Sequence, residues 1–320
     1  QGASGQGVQT MINWFNAGMI GTVNQVEVWT NRPVWPQGIK TPTDKPTILN
    51  GLDWDTWVGP AEWVDYHPLY HPFKWRGWWN FGTGALGDMG CHLMDPPYRV
   101  LGLGYPTEVE SSVGSIFTQD WTPDYYPESC HPSSRTQLKF AATEKNPSEV
   151  KLNWTDGGLR PFHPELIPAD HPIGDENSSN GVIMVGDKGI MTCGTYGLNP
   201  KIYLNSGDII NAAFEDDDDT SSLPENGHPA KWVEACKEGY GSEKHTQLTS
   251  SFDFAGPLTE SILMGNLAIR SYNLREKSGN SFEYPGRKKL LWDGANMKIT
   301  NFEPANQFVK RTYREGWKLE

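Results

Sequence analysis

Trp75-Arg-Gly-Trp-Trp-Asn-Phe-Gly-Thr-Gly-Ala-Leu-Gly-Asp-Met-Gly-Cys-His92 is the stretch on which the fold turns. Within it, Gly82-Thr-Gly84-Ala-Leu-Gly87 matches the G-x-G-x-x-G dinucleotide fingerprint, and Glu108 and Glu110 come where a ribose-binding acid is expected. Taken as a true fingerprint, it makes the chain a doubly wound parallel sheet. That reading requires a buried apolar strand directly before the glycines, and Lys74, Arg76, Gly77 and Asn80 interrupt any such strand. The chain beyond the glycines is also wrong for βαβ units. Strand-like stretches at Glu108–Phe117, Thr136–Ala141, Val150–Trp154, Val182–Val185, Ile190–Cys193 and Lys201–Leu204 succeed one another, separated by Gly, Pro, Asn and Asp. Such a run predicts an antiparallel sheet.

Outward from this block, helical patterns stand at both ends. Val8, Met11, Ile12 and Phe15 share one face of a helix over residues 8–18, which Gly18 and Gly21 stop. Val26 and Val28 alternate with Gln25 and Glu27 in a half-buried strand over Val23–Thr30, in which Trp29 falls on the polar side. A helix from Gly84 to about Leu101 is broken or kinked at Pro96-Pro97, because proline removes a donor and clashes with the preceding turn. Helices return at Pro229–Lys237 and Leu258–Tyr272, the latter with Leu258, Ile262, Leu263, Leu267 and Ile269 broadly on one face. Strands in a block with helices at either end make an α+β layout.

A net charge of −12 over 320 residues argues against nucleic acid or an anionic membrane as partner, since both need basic patches to displace counterions. The expected partner is a small molecule. No apolar run approaches the ~18 residues of a membrane span, and residues 1–20 lack a secretory-signal pattern. Cys91, Cys130, Cys193 and Cys236 lie far apart and read as free thiols, leaving the compartment open. The run Glu215–Asp219 reads as a solvated loop.

Asp88 and His92 stand at i and i+4, about 40° apart on one helix face, so both can converge on one point. The pair admits three uses. It can be a general acid/base, with the histidine taking a hydroxyl proton while the carboxylate orients the ring or the substrate. It can supply two metal ligands, with a third from His67 or His71. It can be purely structural, a helix-internal carboxylate beside a packed imidazole. Trp75, Arg76, Trp78 and Trp79, with His71 nearby, suit a sugar, because aromatic faces stack on apolar sugar faces. Arg160 in Asp156-Gly-Gly-Leu-Arg-Pro161 is a further candidate anchor for a hydroxyl or carboxylate.

The Trp-Arg-Gly-Trp-Trp and Gly-Ala-Leu-Gly-Asp-Met-Gly-Cys-His run resembles the second domain of the Gfo/Idh/MocA family of NAD(P)-dependent oxidoreductases, in its bacterial branch. Thr30–Gly38, Leu52–Pro60, Val185–Gly189, Phe254–Glu260, Gly265–Arg270 and Tyr313–Trp317 extend the likeness along nearly the whole chain. The resemblance implies an open-faced, predominantly antiparallel sheet with helices on one face, on which copies associate as a homo-oligomer. It implies that Asp88 and His92 match the family's catalytic Asp and His, with oxidation of a secondary alcohol of a sugar, cyclitol or glycoside. Some relatives cleave glycosidic bonds through a transient oxidation.

The family's Rossmann domain and Glu-Lys-Pro motif are not recognisable here, and Asp44-Lys45-Pro46 is not at the equivalent position. On this reading residues 1–22 are a junction helix after a missing Rossmann domain, and residues 23–320 are the substrate and oligomerisation domain. NAD or NADP would belong to the full-length parent, none being held by this chain alone, which is expected to be inactive. A signal upstream of Gln1 would decide between cytoplasm and periplasm. The competing reading is a carbohydrate-binding or assembly module without catalysis.

Overall fold

The computed structural model describes residues 2–212 and 227–318; Glu215–Asp219 lies outside them. Helix α1 (Gln6–Asn16) buries Val8, Met11 and Phe15, the face its spacing predicts. Strand β1 (Val23–Trp29) comes after it, then a loop carrying the short helix α2 (Trp54–Val58), capped by Asp53. Helices α3 (Gly84–Leu93) and α4 (Asp95–Leu101) meet at Met94, with the two prolines in the first turn of α4, where their missing N–H groups cost nothing.

Strands β2 (Pro106–Val113), β3 (Ser134–Phe140), β4 (Val150–Thr155), β5 (Gly181–Gly186), β6 (Gly189–Cys193), β7 (Lys201–Leu204) and β8 (Ile209–Asn211) come next. After them stand α5 (Gly227–Glu238), α6 (Glu243–Thr246) and the long α7 (Phe252–Tyr272). Four short strands come last: β9 (Glu276–Ser278), β10 (Ser281–Glu283), β11 (Leu290–Asp293) and β12 (Lys298–Ile299). Helix α7 begins six residues before the expected Leu258 despite Pro257 inside it, because Ser251 O takes the N–H groups of Phe254 and Ala255 at 3.0 and 2.8 Å.

Among the described residues, ten strands form one sheet in the order β12-β11-β2-β3-β4-β1-β5-β6-β7-β8. Every pairing is antiparallel except β1 with β4, where Val26 faces Leu152 and Val28 faces Trp154. The architecture is the expected α+β one. Its main core lies on the face carrying Val26, Val28, Leu138, Leu152 and Met184, closed by α1, α3, α4 and α7 through Met11, Leu93, Leu101, Ile262 and Ile269. Residues 8–20 thus belong to the same core as the strands.

The opposite face is divided. On β3, β4 and β1 it is polar, with Gln137 Nε2 donating to Asn153 Oδ1 at 2.7 Å and Asn153 Nδ2 to Glu27 Oε1 at 2.6 Å. On β1, β5, β6 and β7 it is covered by Ile167 and Ile173, which pack with Trp29, Ile183 and Tyr203 into a second small core. The break in alternation at Trp29 is resolved there: the side chain is 1% exposed on the polar side of its strand, and its Nε1 donates to Ser178 O.

Candidate active site

The segment before α3 folds as a 3-10 turn, Lys74–Gly77, rather than a strand. It is pinned from two sides. Cys130 N donates to Gly77 O at 2.8 Å, Trp79 N donates to Glu128 O at 2.9 Å, and Pro36 O lies 2.6 Å from where a Cβ on Gly77 would stand. Gly84 opens α3 at φ +63°, a left-handed conformation that favours glycine. A Cβ on Gly87 would lie 1.7 Å from Thr83 Oγ1, and one on Gly82 would lie 2.6 Å from Arg76 Cα. These glycines serve close packing of the chain on itself, so Gly82–Gly87 is not a dinucleotide cradle.

Helix α3 carries Asp88 and His92 one turn apart. Arg76 Nε donates to Asp88 Oδ1 at 2.9 Å, with the two side chains 27% and 24% exposed. The guanidinium also donates to Phe73 O at 3.1 Å and stacks 4.5 Å from the Trp75 ring and 4.6 Å from the Phe73 ring. An aromatic box thus fixes the arginine, and the arginine fixes the carboxylate. Asp88 is held from outside its helix.

His92 sits edge-on to Tyr196, ring centroids 4.9 Å apart, with Nδ1 3.6 Å from Cys91 Sγ. Burial holds its pKa below the ordinary 6.5 against the opposing pull of the Asp88 charge. The imidazole is therefore neutral near pH 7 and able to accept a proton. It borders a cavity of about 180 Å³ shared with Ala3, Tyr196, His228 and Thr259. Asp88 does not line that cavity.

Several contributors are not evident from local sequence. Tyr196 adopts φ +64°, an unusual backbone conformation for a tyrosine, and is brought to His92 from beyond β6. Below His92, Asp95 accepts from Arg99 Nε and Nη2 at 3.1 and 2.9 Å, and Arg99 also donates to Thr249 O and lies over Phe254. The i+3 spacing of Asp95 from His92 was the available signal, since it continues the Asp88 face into the next helix.

The other candidates are scattered. Trp78 is 2% exposed, with Nε1 donating to Leu69 O, so it belongs to a third core with Trp54, Tyr66 and Tyr70. His71 packs edge-on to Trp57, and its Nδ1 is buried without a partner among the described residues. Trp79 lies under Arg270, beside a different cavity. Arg160 borders a separate recess of about 570 Å³ with Phe162, His163 and His171. The stretch therefore brings together Trp75, Arg76 and Asp88, with His92 one turn on, and sends its remaining aromatics into core or elsewhere. His67 accepts from Leu69 N and faces Asp44 at 3.3 Å, and among the described residues no group of three His, Cys, Asp or Glu could hold a metal ion.

Residues 8–118 match a family described as "Oxidoreductase family, C-terminal alpha/beta domain". No curated protein matches the sequence. Among solved structures, the chain is similar to an inositol dehydrogenase homolog complexed with NAD+ from Azotobacter vinelandii, at 10% identity and TM-score 0.47, covering 82% of this chain and 59% of that one. It is similar to levoglucosan dehydrogenase in complex with NADH and L-sorbose, at 13% identity and TM-score 0.35, covering 82% and 56%. A super-repressor mutant of Gal80p from Saccharomyces cerevisiae matches at 11% identity and TM-score 0.43, covering 97% and 65%. The chain spans less than two thirds of the length of each of these proteins.

Proposed function

We propose that this chain, whose residues 8–118 match the C-terminal α/β domain of the Gfo/Idh/MocA oxidoreductase family, supplies the proton-handling side of an NAD(P)-dependent oxidation of a secondary alcohol on a sugar, cyclitol or glycoside. The supporting observation is the pair on α3: a partly buried His92 whose pKa is lowered, one turn from a carboxylate that Arg76 holds in place. A neutral imidazole bordering a cavity is the group suited to take a hydroxyl proton. No hydrogen bond engages its Nε2 among the described residues. Asp88 raises the proton affinity of that ring electrostatically, while Arg76 acts as a positioning residue for Asp88.

A nicotinamide dinucleotide does not fit the one glycine motif that invites it, because Gly82 and Gly87 are filled against Arg76 and Thr83. The cofactor would be held by protein outside the described fold, and no hydride step is derived from these residues. Self-association through the polar face of β3, β4 and β1 belongs to the same proposal and is read by sedimentation velocity.

The 320-residue chain alone is expected to reduce neither NAD+ nor NADP+ with myo-inositol or glucose present; measurable reduction would sink that expectation. In an enzyme joining this chain to a dinucleotide-binding domain, His92→Ala is expected to lower kcat by a factor on the order of 10²–10⁴, the usual worth of a general base. Unchanged turnover removes His92 from the chemistry. A module that only binds carbohydrate would instead bind sugar without cofactor and keep that binding in Asp88→Asn.

A further inference from the structure

A cavity of about 930 Å³ stands apart from Asp88 and His92, neither of which lines it. It runs along the outward face of α7, between the turn at Trp79–Thr83 and the tail segment 307–312. Ala255 and Thr259 border both this cavity and the smaller one beside His92, so α7 separates the two. Ligand sites commonly occupy about 300–1,000 Å³ and combine apolar walls with a few convergent polar groups. Here the apolar walls are Trp79, Leu263, Trp292 and Phe308.

Two polar groups on α7 are left without partners among the described residues. Arg270 is wedged between rings, its guanidinium 4.1 Å from the centroid of Phe308 and 5.3 Å from that of Trp79. Among the described residues it makes no hydrogen bond and no ion pair, although burial and the neighbouring Arg311 charge weaken its hold on its proton, moving its pKa to about 10. Stacking occupies the faces of the guanidinium and leaves its N–H edge as the donor surface. One turn earlier, Asn266 is 4% exposed, and neither its Oδ1 nor its Nδ2 has a partner. A buried amide left unsatisfied keeps the full penalty of its desolvation, so such a group calls for a partner.

The rim adds further recognition chemistry. Arg311 donates to Asn80 O at 2.9 Å and brings a second cation to the same space. Glu62 and Glu128 face the cavity as well, and Glu260 accepts from Trp292 Nε1 at 2.7 Å. Acidic groups on the wall exclude a multiply charged anion but suit hydroxyl donors.

We propose that this cavity is a second ligand site, separate from the one on α3, that takes a hydroxylated monocarboxylate of sugar-acid size. The carboxylate meets the N–H edge of Arg270, the buried Asn266 side chain turns toward the cavity to take a hydroxyl, and the remaining hydroxyls donate to the glutamates. This assignment does not depend on the reading of Asp88 and His92.

The test is calorimetric titration of the full chain with D-glucuronate, against D-glucose and D-glucuronamide as neutral counterparts. Glucuronate is expected to bind at least about tenfold more tightly than either, the worth of one charge-assisted hydrogen-bonded pair. Arg270→Gln is expected to remove that preference, and Asn266→Ala to weaken binding of the acid. Should Arg270→Gln fail to fold, as judged by circular dichroism, the rim variant Arg311→Gln is expected to weaken glucuronate several-fold and leave glucose unchanged. Equal affinity for acid and neutral sugar overturns the proposal, as does the absence of saturable glucuronate binding. Binding that survives Arg270→Gln and Arg311→Gln but is lost in Asp88→Asn places the acid on α3 and overturns it too.

Discussion

Arg76→Met, Asp88→Asn and the double variant form a thermodynamic cycle that isolates the contact on which the site's geometry rests. The contact is one Nε–Oδ1 hydrogen bond of 2.9 Å between side chains about a quarter exposed, not a two-toothed fork. Exposed ion pairs are worth about 0.2–1 kcal/mol, and hydrogen bonds to charged groups about 1.5–3 kcal/mol. A single contact at this depth should fall between them, at about 1–2 kcal/mol of coupling. Arg76→Met alone should cost more, about 2–4 kcal/mol, because stacking on Trp75 and Phe73 is lost with the charge, each such contact being worth about 0.5–1 kcal/mol. Urea denaturation of the four proteins gives the coupling as the non-additive part of the stability changes. A coupling below about 0.3 kcal/mol, the ordinary scatter of additivity, would refute the idea that Arg76 fixes Asp88.

Three other outcomes are expected. His92 should titrate below 6.5 in side-chain NMR, and lower still in Asp88→Asn, since the Asp88 charge is what favours its protonated form; a value at or above 6.5 contradicts the burial argument. His131 is buried with its pKa pushed down from 6.5 to about 4, so the unfolded chain takes up a proton first as pH falls. The stability of the fold should therefore drop by about 3 kcal/mol between pH 6.5 and 4 from this group. His131→Gln should flatten that slope by up to one proton, and an identical slope in the variant would assign the pH dependence elsewhere. Asp156 accepts from Ser134 N at 2.5 Å, Ser134 Oγ at 2.8 Å and Trp154 Nε1 at 2.9 Å, so Asp156→Asn sets an amide N–H₂ against donors. A loss of about 1–3 kcal/mol is expected in chemical denaturation, and a neutral result would mean that these donors find other partners.

The sequence resolved what depends on neighbours a few residues away. The period-two pattern at Val23–Thr30, the 3.6 period at Val8–Phe15 and the break near Pro96-Pro97 all appear within a residue or two of their expected places, because main-chain geometry and side-chain alternation are local. The strand expected at Glu108–Phe117 ends instead at Val113, and β8 through β12 carry too short a pattern to be recognised. Trp29 broke its pattern because the side chain meets Ile167 and Ile173, which come more than a hundred residues later. Trp78 and Trp79 are adjacent in sequence yet lie in a core and on a cavity wall, a distinction set by which side of the turn Leu69 and Arg270 occupy.

By itself, then, the chain order determined the α+β class, the helix that carries Asp88 and His92, and the failure of Gly82–Gly87 as a fingerprint, since each depends on spacing along a few turns. Only the tertiary structure decided that Asp88 is bound by Arg76, that Tyr196 flanks His92, that β1 lies between β4 and β5, and that Arg270 and Asn266 border one cavity. Those relations join residues distant in sequence, and the burial that gives them their energies exists only once the sheet and α7 have closed on one another.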